Sequence, residues 1–76
     1  ALDTRTPQIY FDAFKWYEAA AKNGSGRGQF DLAACYQHGK SVAVDLEQAI
    51  YWYRQAFASG VARAAQSLRE LETGAQ

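Results

Sequence analysis

Residues 16–24 read WYEAAAKNG and residues 52–60 read WYRQAFASG. Trp16, Tyr17, Ala20 and Gly24 thus return, 36 residues later, as Trp52, Tyr53, Ala56 and Gly60. The same offset carries Ala13 onto Ala49, Arg27 onto Arg63 and Leu32 onto Leu68, which makes seven identities when residues 9–40 are laid on 45–76. Self-similarity at a period of this length is the mark of stacked supersecondary units, so the repeat is read before anything else.

Each unit reads as two helices. Ala49, Trp52, Tyr53 and Ala56 stand at i, i+3, i+4 and i+7, and Ala13, Trp16, Tyr17 and Ala20 do the same, so each set forms one small-plus-aromatic stripe on a helical face. Asp45 stands three residues before Gln48, a capping-box spacing in which the carboxylate accepts an exposed backbone N–H. Thr6-Pro7 is a comparable start for the first helix, with Pro7 near the position where its missing N–H costs nothing. Gly24, Gly39 and Gly60 fall where helices should stop. In the other helix of each unit, Leu32, Cys35 and Tyr36 share one face, as do Ala64, Ala65, Leu68 and Leu71. Between them Lys40 to Val44 reads as a short loop with Val42 tucked under the turn. The expected architecture is all-α, a short solenoid of α/α helical hairpins, with four helices over roughly 7–22, 26–38, 46–58 and 62–73. Trp16, Tyr17, Trp52 and Tyr53 are expected in the core, with Trp16 and Trp52 filling the gaps that alanines such as Ala20, Ala49 and Ala56 leave between closely approaching helices.

Composition narrows the function. The chain has 76 residues, 49% of them hydrophobic, and its eight basic side chains balance eight acidic ones. A domain of this size buries only about 60% of the surface its unfolded chain exposes, which leaves little room for a deep catalytic pocket. Zero formal net charge argues against nucleic acid, whose phosphates are held by summed Lys and Arg charge. Cys35 is the sole cysteine, so no internal disulfide forms, and its apolar neighbours suit a buried thiol. No apolar run is long enough for a membrane span, and no basic leader precedes an apolar stretch. Cytoplasm and bacterial periplasm are both compatible with these features.

The repeated stretches resemble the Sel-one-like repeats, relatives of the tetratricopeptide repeats with a slightly longer unit. Leu32, Tyr36, Gly39, Val42, Asp45, Ala49, Trp52, Tyr53, Ala56 and Gly60 all fall at that family's spacing. The register implied is a partial unit over 7–24, a complete unit over 25–60 and a partial unit over 61–74. The chain departs from the family pattern at Gly26 and Gly28, where small alanines are usual, and at Ala33 and Ser41, where glycines are usual. On helix propensity alone, each of the first two should weaken its helix by about 0.5–1 kcal/mol relative to alanine. Ile9 stands at the position matching Asp45, and Glu72 at the one matching Tyr36, which marks both ends as degenerate. The resemblance implies protein–protein interaction, since family members act as adaptors in signalling, degradation and cell-envelope assemblies, some of them exported.

Residues with chemical potential are few. His38, the only histidine, sits beside the helix-ending Gly39 and reads as a surface or capping residue. One imidazole offers no metal-ligand spacing, and no serine lies in a nucleophile motif. Gly24, Gly26 and Gly28 precede a helix, but no strand comes before them and no Lys-Ser or Lys-Thr follows, so a phosphate loop is not indicated. Asp12, Glu18, Asp31, Glu47, Glu70 and Glu72 read as surface charge on separate helices. No catalytic residue, metal ligand or cofactor is therefore assigned, and the chain is read as a non-enzyme.

Aromatic residues beyond the repeated stripe carry the binding expectation. Tyr10, Phe11, Phe14, Tyr51 and Phe57 exceed what the stripe needs, and exposed aromatic area marks binding surfaces. Tyr51 replaces Lys15 across the repeat and is the most specific candidate for partner contact; Tyr10 and Phe11 are candidates for stacking on another chain. Arg27 and Arg63 recur at the repeat period and serve either as bridges between helices or as ligand-facing groups. The expected partner is a protein or peptide; the alternative is a structural unit that self-associates through its repeat ends.

Overall fold

A computed structural model of the chain describes residues 13–74, which form four helices: α1 (Ala13–Lys22), α2 (Gly26–His38), α3 (Leu46–Ala58) and α4 (Arg63–Thr73). Helices α2 and α3 have the limits expected from sequence, and α4 starts one residue later. Thr6-Pro7, Ile9, Tyr10, Phe11 and Asp12 lie outside the described residues. Packing runs chiefly between helices consecutive in the chain, α1 on α2, α2 on α3 and α3 on α4. That is the pattern of a helical-hairpin array held by nearest-neighbour contacts.

The 36-residue offset is structural as well as textual. In the α1–α2 turn the Ser25 N–H donates to the Ala20 carbonyl and the Gly24 N–H to that of Ala21, each at 3.0 Å. In the α3–α4 turn Val61 donates to Ala56 and Gly60 to Phe57, also at 3.0 Å. Gly24 and Gly60 both take the left-handed backbone, with φ of 91° and 106°. Residues 36 apart therefore occupy equivalent places in the two hairpins.

Helix starts differ in quality. The Asp45 carboxylate accepts from the Gln48 N–H at 3.2 Å, the expected cap, and the Ser25 hydroxyl accepts from the Gly28 N–H at 3.1 Å. Helix α4 has Ala62 at its N-cap and no side-chain cap bond, because Val61 stands where Ser25 would. The end of α2 is closed by Gly39 at φ 72°, whose N–H donates to the Cys35 carbonyl, and the Asp45 N–H returns to the Tyr36 carbonyl at 2.9 Å. The intervening loop holds Ser41 at φ 71°, left-handed backbone that strains an L side chain. Ser41→Gly is expected to stabilise the fold by about 1 kcal/mol through release of that strain. Urea unfolding will show it as a raised midpoint at unchanged m-value.

Two clusters make the core. Phe14, Ala21, Leu32 and Cys35 are buried between α1 and α2, with Tyr17, Tyr36, Val42 and Trp52 packed against them. Ala33, Ala49, Tyr53, Ala56 and Ala64 are buried among α2, α3 and α4, with Phe30, Tyr36, Trp52, Val61, Leu68 and Leu71 around them. Trp52 and Tyr36 belong to both, and Val42 is tucked under the turn as expected. Edge-to-face ring pairs order these contacts, Phe14 with Tyr36 at 5.9 Å and Phe30 with Tyr53 at 5.3 Å.

The expectation of a core role for Trp16 is corrected: it is 61% exposed. Its counterpart Trp52 lies over the α1–α2 hairpin, whose side chains half bury it, whereas no hairpin among the described residues precedes α1. Tyr17 is likewise only half-buried, while Tyr53 is 2% exposed. Phe14, read from sequence as surplus to the stripe, is buried.

Gly28 also reads differently in three dimensions. A Cβ added there would stand 2.6 Å from the Ala20 Cβ and 3.0 Å from the Ala21 backbone nitrogen. None of these atoms can rotate away, so Gly28 is the residue that allows α1 and α2 to touch. Gly28→Ala sets about 1 kcal/mol of improved helix propensity against about 1–3 kcal/mol of overpacking. Net destabilisation is expected in urea unfolding, the opposite sign to propensity alone.

Candidate protein-docking surface

At the N-terminal end of the described array, α1 and α2 line a groove of about 340 Å³. Ala13, Trp16, Tyr17 and Ala20 supply its α1 wall, the repeated stripe of the sequence, and Ser25, Arg27, Gly28 and Asp31 supply the other. The stripe lines the groove because residues at i, i+3, i+4 and i+7 share one helix face. On the rim the Arg27 Nε lies 3.5 Å from an Asp31 carboxylate oxygen one turn on, and the Arg27 side chain is largely exposed. The groove is thus apolar inside with one cation and one anion at its edge.

The equivalent place one unit further along is filled. There Ala49, Tyr53, Ala56 and Ala64 are buried beneath α2. Phe30 of α2 lays its ring edge against Tyr53, and the Arg63 guanidinium carbon sits 4.8 Å above the centre of the Phe30 ring. The Tyr53 hydroxyl donates to the Gln37 side-chain oxygen at 2.6 Å. Burial pushes the Tyr53 phenol upward from its ordinary pKa; the Ser67 hydrogen bond opposes this, and Glu70, Asp31 and Cys35 reinforce it. Burial is also the main cause of an upward shift at Tyr36, joined by Glu18, Asp45 and Cys35. Gln29 is buried with both ends of its amide bonded, donating to the Ala21 carbonyl at 3.2 Å and accepting from the Ser59 hydroxyl at 2.8 Å.

Of the residues singled out in the sequence, the structure brings Trp16, Tyr17 and Arg27 to the groove and leaves Tyr51 apart from it. Tyr51 is 52% exposed and stands edge-to-face on Trp52 at 4.9 Å. Phe57 is exposed to the same degree, on the same helix. Arg63 bridges α4 to α2 through Phe30. Sequence reasoning missed Phe30, Gln29 and Gln37, because Gln66, Ala65 and Thr73 stand at their repeat positions and no identity marks them.

Chemically the remaining groups are spread out. His38 is exposed at the end of α2, and Cys35 is buried. Glu18 pairs with Lys22 at 3.9 Å and Glu72 with Arg54 at 2.6 Å, the latter tying α4 to α3. Among the described residues no group of three or more His, Cys, Asp or Glu side chains could hold a metal ion, and no helix is long and apolar enough to cross a membrane.

Comparison with known proteins places this geometry. The family model described as the Sel1 repeat matches residues 10–25 and 26–61. Chitin synthase regulator SKT5 of Saccharomyces cerevisiae is 36% identical over 63 residues, covering 83% of this chain and 9% of the relative. DAP3-binding cell death enhancer 1 of Rattus norvegicus is 36% identical over 59 residues, covering 78% of this chain and 12% of the relative. The chain therefore spans about a tenth of the length of these curated relatives. No solved structure matches. With matched residues spanning both hairpin turns and most of the repeat, the chain belongs to the Sel1 repeat family.

Proposed function

We propose that the chain is a protein- or peptide-binding module, working by surface complementarity without chemistry of its own. The observation that carries this reading is exposed aromatic side chains on a fixed helix, Tyr51 and Phe57 on α3, each 52% exposed. Rigid aromatic anchors give contact area at low ordering cost, and such residues dominate binding energy at interfaces. The two relatives support it by name, one a regulator of chitin synthase and the other DAP3-binding. In this reading residues 25–60 form the complete unit, flanked by partial units over 7–24 and 61–74 that present its two ends.

A photo-crosslinking amino acid placed at residue 51, and separately at residue 57, tests the module reading in cells of the source organism. Discrete adducts with another protein, with the isolated chain sedimenting as a monomer of about 8.4 kDa, are expected. Adducts only between copies of the chain, with a mass that grows with concentration, would replace the module by a self-associating unit.

A further inference from the structure

Asn23 is the chain's only asparagine, and Gly24 follows it. The carboxamide carbon of an asparagine and the backbone nitrogen of the next residue can close a succinimide ring, and a glycine there puts no Cβ in the way of closure. One unit further along the matching pair is Ser59-Gly60, which has no carboxamide to react. The two hairpin turns share one geometry and differ in this one chemical property.

The fold both creates the pair and restrains it. Asn23 and Gly24 are exposed at the end of α1, where water reaches them. The Ser25 N–H donates to the Ala20 carbonyl and the Gly24 N–H to that of Ala21, each at 3.0 Å, with Gly24 at φ 91°, a Schellman cap. A Cβ on Gly24 would meet nothing within 4 Å, so its left-handed backbone alone calls for glycine, and that glycine is what exposes Asn23 to ring closure. Closure requires the Gly24 nitrogen to give up its proton, which in the closed turn is held by the Ala21 carbonyl.

We propose that Asn23 is a site of spontaneous modification, converting to aspartate and isoaspartate at a rate gated by opening of the α1–α2 turn. When the Gly24 N–H leaves the Ala21 carbonyl and loses its proton to solvent, its nitrogen attacks the Asn23 Cγ. A bond forms between them, the bond from Cγ to the side-chain nitrogen breaks, and that nitrogen departs as ammonia with a proton taken from water. Water then opens the succinimide. Cleavage at Cγ gives aspartate on an unchanged backbone, and cleavage at the main-chain carbonyl gives isoaspartate, whose backbone runs through Cβ and Cγ. One water is consumed and one ammonia released, with no change of oxidation state.

Both products place a carboxylate beside the carbonyl end of α1, where the helix dipole disfavours it. Isoaspartate also adds one carbon to the backbone between the residue 23 Cα and the Gly24 nitrogen. The Gly24 and Ser25 N–H groups then lose register with the carbonyls of Ala21 and Ala20, and the cap between α1 and α2 is lost. The second turn, where Gly60 donates to Phe57 and Val61 to Ala56, keeps its bonds. Ageing thus loosens one hairpin and spares its repeat.

The test is incubation of the full chain in mildly alkaline buffer, folded and in urea, followed by peptide mapping with mass spectrometry and by enzymatic methylation of isoaspartyl groups. Both samples should convert at residue 23, the folded one about tenfold or more slowly, because only the opened fraction reacts. In the purified isoaspartyl form, hydrogen exchange of the Gly24 and Ser25 amides should accelerate about tenfold or more, with Gly60 and Val61 unchanged. Asn23→Asp carries the charge without the added carbon and should speed those two amides less. Asn23→Ser, which installs the residue of the second turn, should abolish conversion and keep the circular dichroism of the parent. No conversion in the folded chain, equal rates folded and in urea, conversion that persists in Asn23→Ser, or unchanged exchange at Gly24 and Ser25 in the isoaspartyl form would each overturn the proposal. None of these readouts involves a partner, so the module reading stands or falls separately.

Discussion

Replacing Trp52 by alanine is expected to remove about 3–5 kcal/mol of stability, and replacing Trp16 by alanine less than about 1 kcal/mol, although the two residues are identical across the repeat. Trp52 packs against both buried clusters and is the side chain, with Tyr36, that joins the α1–α2 hairpin to α3. Its loss leaves a cavity between the two layers that backbone collapse cannot close without moving a helix. Trp16 is largely exposed on the groove wall, where removal costs little folding energy. A fold of this size has about 4–11 kcal/mol in total, so Trp52→Ala consumes much of it. Urea unfolding of both variants decides the matter: a loss below about 1 kcal/mol at Trp52 would take it out of the core, and a loss above about 2 kcal/mol at Trp16 would put it there.

Tyr53 gives the second large effect, with a chemical signature as well as a packing one. Tyr53→Ala empties the centre of the α2–α4 core and should cost about 3–5 kcal/mol. Tyr53→Phe keeps the ring and loses the hydroxyl's hydrogen bonding to Gln37 and Ser67, a cost of about 1–2 kcal/mol. The two variants also separate at alkaline pH. The Tyr53 phenol in the fold holds its proton to a higher pH than the ordinary value of 10.0, so above 10.0 the unfolded chain gives up that proton first. Its contribution is fully present below that pH and is lost as pH rises through the raised folded value. The parent should therefore lose stability above pH 10 faster than Tyr53→Phe does, a difference that denaturant titrations at pH 8 and above pH 10 will read. Equal pH slopes would show that other groups carry the alkaline transition.

Helix limits and the helix-stop glycines were legible because they depend on local chemistry: Asp45 ahead of Gln48, Gly39 after His38, the i, i+3, i+4, i+7 stripe. The family was legible because Trp-Tyr, Ala and Gly recur at fixed spacing. Burial was not fully legible, since it depends on which neighbour a repeat position meets. Trp16 and Trp52 stand in the same repeated stripe, and among the described residues only the second has a hairpin beneath it. Gln29 illustrates the opposite case: a polar residue with no repeat partner of its kind is buried because the Ala21 carbonyl and Ser59 hydroxyl happen to satisfy it there. Among the candidate contact residues, Tyr51 was visible as a repeat substitution and Arg27 as a repeat identity. Phe30, the residue that explains what Arg63 and Tyr53 do, was hidden by a glutamine at its repeat position.

Packing between consecutive helices also governs how the chain reaches this state. Contacts close only short loops, so the entropy spent before each contact forms is small and folding should be fast for a domain of this size. Helices α2 and α3 each have neighbours on two sides, whereas among the described helices α1 leans chiefly on α2 and α4 chiefly on α3. Among the described helices, opening is expected to proceed inward from α1 and α4, with amide protons of the central pair exchanging last. Helix α1 also carries one wall of the groove, so any ligand held there would restrain its opening and would register as slower hydrogen exchange along it.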